Sequence, residues 1–201
     1  LRSSVASHAK SLGYQITSAR APVATINISL STTDSTKTMP AGTSFTTTID
    51  DITYKFVTIA SVTSSNTGAS VPFDNVKIYE GTYTTTKYIV DTSDVNQRFI
   101  LTDARSDTST LTVKVQNSVS DTTSTTYTLA TDITQLNTES KVYFLQEVEA
   151  GRFEIYFGDG VLSQSLSDGN IVSLQYVITN KTMANGSFSF TSPGAINGTT
   201  N

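Results

Sequence analysis

The 201-residue chain is 37% apolar, has no cysteine or tryptophan, and carries a formal net charge of −4. Without cysteine it forms no disulfide, thiolate nucleophile, zinc–thiolate or iron–sulfur site. It has no Lys/Arg run to follow phosphates and no apolar run near the roughly 20 residues that span a bilayer, so neither nucleic acid nor membrane insertion is expected.

In chain order, the one predicted helix is "SSVASHAKSLGY". Val5, Ala9 and Leu12 share a face, a Ser precedes them as cap, and Gly13 follows as a stop. The helix, residues 1–14, reads as the end of a larger upstream region. With Leu rather than Met at position 1, the chain is expected to be a piece of a longer polypeptide or a processed product. After Pro22 the period changes to two. "VATINISL" alternates Ala24, Ile26, Ile28 and Leu30 with Val23, Thr25, Asn27 and Ser29, a strand with one buried face. "STTDSTKTMPAGT" reads as a turn-rich connection. "TSFTTTIDDITYKFVTIASV" reads as a hairpin reversing at Asp50-Asp51, followed by the polar loop "TSSNTGAS".

Shorter strands are predicted at "NVKIYEG", "KYIV", "RFIL", "STLTVKV" and "TYTLA", with "SVSDTTSTT", residues 118–126, as an exposed mobile loop. "KVYFLQEVEAGRFEIYFGDG" reads as two strands turned at Ala150-Gly151, and "NIVSLQYVIT" as a further strand. Ser and Thr make up roughly a third of the chain; Thr favours pleated surfaces and Ser weakens helices. The expected fold class is mainly β: antiparallel sandwich or meander subdomains with one short N-terminal helix. A first β subdomain is drawn at 15–72, a second at 73–191, and a truncated coil at 192–201.

Several residues could carry chemistry. "YFGDGVLSQSLSDGN" holds Asp159-Gly160 and Asp168-Gly169. Counted from Asp159 as a calcium loop, position 3 is Val161, position 6 is Gln164 and position 12 is Asn170, which fails the oxygen and glycine requirements. Asp-Gly between strands is a common reversal, because Gly takes positive φ without strain. His8, the one histidine, has no acidic neighbour to complete a nucleophilic triad. Glu147, Glu149 and Glu154 could supply a glycosidase carboxylate pair, with Glu147 and Glu149 on one strand face, yet alternating Glu is more simply a solvated face. Asp91, Asp94, Asp103 and Asp107 fall in predicted turns, where Asp bonds nearby amides. Asn27, Asn180, Asn185 and Asn197 open Asn-x-Ser/Thr patterns that a Ser/Thr-rich chain produces by chance. No Walker or dinucleotide phosphate loop is present. No catalytic, cofactor-binding or metal-binding residue is assigned.

"FEIYFGDGVLSQSLSDGNIVSLQYVIT" resembles the signature of baseplate-J-like proteins of contractile phage tails: Phe157, Gly158, Asp159 and Gly160, a short link, Gly169, and a strand ending near Tyr176. "LGYQITSARAPVATINISL" resembles the same family's helix end, Arg-containing link and first strand. "MPAGTSF" resembles its Pro-Ala-Gly-Thr-x-Phe segment. The combination is closest to the T-even-type branch of wedge subunits that join neighbouring wedges into a ring. Ser163 stands where many relatives place Gly, which fits that branch.

The resemblance implies a structural wedge component of a tail baseplate. It would contact copies of itself in a homodimer or ring, and other baseplate wedge and hub proteins. It would reside in the virion tail baseplate, and in host cytoplasm during assembly. The other class that the residues admit is a non-catalytic surface adhesin or carbohydrate-binding β module, with nine Tyr available for stacking. Conversion of cell-wall polysaccharide abolished by Glu147→Gln would indicate an enzyme instead.

Overall fold

The computed structural model describes residues 17–192 together with 195 and 196, so the helix predicted over residues 1–14, His8 and most of the coil predicted over 192–201 lie outside the described residues. Within them the protein is mainly β, with thirteen strands, three 3-10 turns and no α-helix. The chain forms two compact units. A host unit comprises Arg20–Tyr83 and the described part of Val177–Asn201; an inserted unit comprises Thr84–Tyr176 and the described end of Leu1–Ala19.

The host unit carries β1 (Val23–Ser31), β2 (Thr36–Met39), β3 (Ser44–Ile49), β4 (Ile52–Val57), β5 (Val62–Ser65) and β6 (Ser70–Glu80). A four-stranded sheet runs β1-β6-β4-β3, and β2 pairs with β5 as a separate ribbon. The subdomain break drawn after residue 72 falls inside β6, whose pairs with β1 and β4 keep it in the host sheet. β6 bulges opposite Asn27. Asp74 and Asn75 face one β1 residue, Asn75 takes a φ of 56°, and its amide donates to Asn27 Oδ1 at 2.8 Å.

Apolar alternation along these strands converges on one core, in which Leu30, Met39, Phe45, Phe56, Val71, Phe73 and Ile78 are buried. Each large side chain removed from water there contributes about 2 kcal/mol. The β2–β5 ribbon appears in the segments read as connection and loop. Only Met39 and Val62 mark it as apolar, because Thr, Ser and Lys fill its other positions.

The β3–β4 hairpin reverses at Asp50 and Asp51 as predicted, pairing Ile49 with Ile52. Both aspartates have positive φ, 48° and 63°, the backbone of a type I′ turn. Asn-Gly suits that backbone better than Asp-Asp. The double change Asp50→Asn, Asp51→Gly should stabilise the protein by about 1 kcal/mol, read from urea unfolding. A loss of stability would show that the two carboxylates have another role.

The inserted unit is built on β7 (Thr82–Ile89), β8 (Phe99–Ile100), β9 (Ser106–Gln116), β10 (Ser124–Leu129), β11 (Val142–Glu147), β12 (Phe153–Phe157) and β13 (Ile171–Ile178). They form a seven-stranded sheet in the order β7-β13-β9-β10-β11-β12-β8. Tyr88 and Phe99, on the two outermost strands, meet edge to face at 5.5 Å, so the sheet curls until its ends touch through side chains. Leu101, Val113, Ile155, Val172, Leu174 and Tyr176 lie fully buried in it.

Two expectations are corrected here. The sheet is mixed rather than wholly antiparallel: β10 and β11 pair in parallel at Thr128↔Val142 and Leu129↔Tyr143. A parallel pair needs a crossover of about a dozen residues, and residues 130–141 supply it, with a 3-10 turn at Ile133–Gln135 capped by Asp132. The segment predicted as a mobile loop at 118–126 is exposed but held. Asn117 N donates to Thr123 O at 3.0 Å, Ser118 N to Asp121 O at 3.1 Å, and Asp121 N to Ser118 Oγ at 3.0 Å, and β10 already begins at Ser124.

Candidate functional site

The link between β12 and β13 carries the densest motif, and its geometry is that of consecutive turns. Phe157 ends β12 with its ring edge to face against Phe99 and Tyr127, each at 5.5 Å. A Cβ on Gly158 would lie 1.9 Å from Ser163 Oγ and 2.7 Å from Ser163 O, so position 158 admits no side chain beside a buried serine. Asp159 Oδ1 accepts from Val161 N at 3.0 Å, and Gly160, at φ 88°, donates its amide to Ser163 O at 3.0 Å. Asp168 Oδ1 accepts from Thr92 N at 3.1 Å. Gly169 N donates to Val90 O, and Val90 N to Asn170 O. Asn170 Nδ2 reaches Asn117 O at 2.9 Å. The first Asp-Gly therefore closes the link on itself, and the second ties it to the chain after β7 and to the turn between β9 and β10.

The other predicted aspartates behave alike. Asp91, Asp94, Asp103 and Asp107 each accept the amide two residues ahead, from Ser93, Asn96, Arg105 and Ser109, at 2.8–2.9 Å. Asp121 and Asp132 repeat the arrangement with Thr123 and Thr134. A hydrogen bond donated to a carboxylate favours its ionised form. The Ser93 hydroxyl holds Asp91 below its ordinary range, the Arg105 guanidinium does so for Asp103, and the Val161 amide for Asp159.

The glutamates do not share a strand face. β11 stops at Glu147, and Glu149 opens a 3-10 turn in which Ala150 has φ 56°. The expected pairing on one face is lost because the chain must turn before Phe153. Glu154 lies on β12 and accepts from Arg98 Nε at 2.8 Å and Nη2 at 2.9 Å. Arg98 keeps this carboxyl below its ordinary range, so at neutral pH it holds no proton to give. Glu154 and Asp94 line one cleft of about 250 Å³ with Phe157 and Gly158. Among the described residues no group of three or more His, Asp or Glu is placed to hold a metal ion.

Of the Asn-x-Ser/Thr positions, Asn27 accepts at the β6 bulge, Asn180 binds a buried carboxylate, Asn185 ends a 3-10 turn, and Asn197 lies outside the described residues. That carboxylate, Glu80, is the residue sequence reasoning missed. It is fully buried in the host unit and receives Thr179 Oγ1 at 2.7 Å, Asn180 N at 2.8 Å and Asn180 Nδ2 at 2.7 Å. A signal was present: Glu80 continues the inward stripe of Val76 and Ile78.

The lowered carboxylates set a pH dependence. Folded-state values below the unfolded ones contribute stability that is present above about pH 4 and lost as pH falls through the folded values. The urea midpoint should therefore stay flat from neutrality to about pH 5 and decline below about pH 4. A midpoint that rises on acidification would contradict these hydrogen bonds.

Fold and site together describe a mainly β structural module whose motif residues close turns and fill the core. Residues 84–189 match the family described as bacteriophage baseplate wedge protein gp6, third domain. The match takes in just over half of the 201 residues and starts at the first residue of the main segment of the inserted unit. The chain belongs to this family and is a phage baseplate wedge protein. No curated protein matches it.

Proposed function

We propose that this chain is a non-catalytic scaffold of the tail baseplate, joining wedges into a ring through contacts with copies of itself and with other wedge and hub proteins. Membership of the wedge family is the observation that carries the reading. The physical chemistry of the site supports it. Aspartates of the inserted unit are engaged on backbone amides, and Glu154 is engaged on Arg98, so these groups stiffen turns and strand ends. A rigid β module suits repeated identical contacts, which close a ring when the rotation between subunits allows it. Assembly would take place in host cytoplasm and the finished protein would sit in the virion. Antibody against this chain, applied to purified tails under the electron microscope, should label the baseplate end alone. Label along the tail tube, or none on intact tails, would overturn the reading.

A further inference from the structure

The link between β12 and β13 is tied down on both sides of β10. Gln164 N donates to Ser140 O at 3.0 Å, just ahead of β11, and Asn170 Nδ2 to Asn117 O at 2.9 Å, just after β9. β10 lies between β9 and β11 in the sheet, so the link spans it. Under the link lies a pocket of about 130 Å³, and Val115, Thr125, Tyr127, Lys141, Gln164 and Ser165 are among its lining residues. Thr125 pairs with Val115, and strand alternation puts Tyr127 on the same face as Thr125, so β10 turns its buried side to the pocket.

Two polar groups of this lining lack partners. Tyr127 is 5% exposed, with its ring edge to face against Phe157. Its hydroxyl bonds to no described residue and is not sealed inside the core, so it opens on the pocket. Burial raises its pKa, and at neutral pH it keeps its proton as a donor. The side-chain oxygen of Gln164 is buried without a hydrogen-bond partner. Lys141 adds an exposed ammonium, which no ion pair engages among the described residues. Buried polar groups left this way call for a water, an ion or a ligand that completes them. At about 30 Å³ per water, the pocket has room for roughly four waters or for a guest group of about four non-hydrogen atoms.

We infer that this pocket binds a carboxylate group. The Tyr127 hydroxyl and the Lys141 ammonium donate to its oxygens. A half-turn of the Gln164 amide exchanges its oxygen for its nitrogen and adds a third donor. Such hydrogen bonds to an ionised acceptor are about twice as strong as neutral ones, which favours the carboxylate over the waters it displaces. Its single charge matches the single cation among the described lining residues, whereas a phosphate ester brings close to two charges. The group belongs to a free small acid or to an acidic side chain or C-terminus of a polypeptide, and the head group is the same in each.

The test follows the amide NMR signals of the whole, nitrogen-15-labelled chain during titration with sodium acetate at constant ionic strength. Signals of Asn117, Lys141, Gln164 and Ser165 should shift saturably, with half-saturation at roughly 1–10 mM. Tyr127→Phe keeps the ring against Phe157 and removes only the unpartnered hydroxyl, so Tm should hold while acetate binds at least about fivefold more weakly. Lys141→Gln, an exposed change, should weaken binding by a similar factor. A capped Gly-Glu-Gly peptide that binds at least as tightly as acetate assigns the group to a polypeptide, and binding of acetate alone assigns it to a free acid. The Gly-Gln-Gly counterpart should not bind. No saturable shift up to about 100 mM acetate, undiminished binding by either variant, or tighter binding of inorganic phosphate would each overturn the inference. Binding is read from the chain's own amides, so failure here leaves the scaffold reading to its own test.

Discussion

Replacing Glu80 with Ala should lower the unfolding free energy by about 3–5 kcal/mol, measured by urea denaturation. The carboxylate is fully buried and gathers three donors: the Thr179 hydroxyl, the Asn180 amide and the Asn180 side chain. Thr179 Oγ1 in turn accepts from Lys181 N at 2.8 Å, so one side chain organises the exit from β13. Glu80 N also donates to Pro22 O, fixing the end of β6 beside the start of β1. Removing the carboxylate leaves the buried Thr179 hydroxyl without its acceptor and opens a void in the core, and these are the main costs. Glu80→Gln keeps one acceptor oxygen and should lose less than Glu80→Ala. A change below about 1 kcal/mol in the Ala variant would mean that water replaces the carboxylate freely and that the hub is not structural.

The neighbouring glycine should be as demanding. Gly81→Ala places a Cβ 2.2 Å from the carbonyl oxygen of Ile178 and 2.9 Å from Val177 Cγ1, at a φ of 126°. Gly81 also donates to Lys55 O at 2.8 Å, so its backbone is not free to move away. Gly68 separates the two causes. It has nearly the same φ, 131°, with nothing within 4 Å of an added Cβ. Gly68→Ala reports backbone strain alone, about 1–3 kcal/mol, and Gly81→Ala should exceed it by a further 1–3 kcal/mol, roughly, for the clash. Equal losses in the two variants would show that β13 yields without cost.

These two residues mark where the sequence stopped being legible. Local signals were clear wherever apolar residues alternated over several positions. Phe45, Ile49, Tyr54 and Phe56 revealed the first hairpin, and Phe144, Phe153 and Ile155 the second, because each pairing is closed by a short turn. The Asp-Gly link was legible for the same reason, since its turns are made by neighbours in sequence. The resemblance carried by Phe157, Gly158, Asp159 and Gly160 led to the family, although these residues turn out to be core and turn positions.

What was hidden depended on distance along the chain. The meeting of Glu80 with Thr179 and Asn180 brings together residues about a hundred apart, and it defines a host unit that the inserted unit interrupts. A linear reading therefore divided the chain within β6. The parallel β10–β11 pair shares only two residue pairs, too short a contact to imprint a pattern. The β2–β5 ribbon hid in hydroxyl-rich sequence, where Thr38 and Thr63 meet through their side chains at 2.8 Å. The glutamates show the reverse error: strand periodicity was carried past Glu147 into a turn.

The central claim, that this β module works by association, is tested most directly by its mass in solution across about a hundredfold range of concentration, followed by imaging of the largest species. The account predicts a mass that rises with concentration and particles with rotational symmetry. A constant monomer mass throughout, with no symmetric particle, would contradict it.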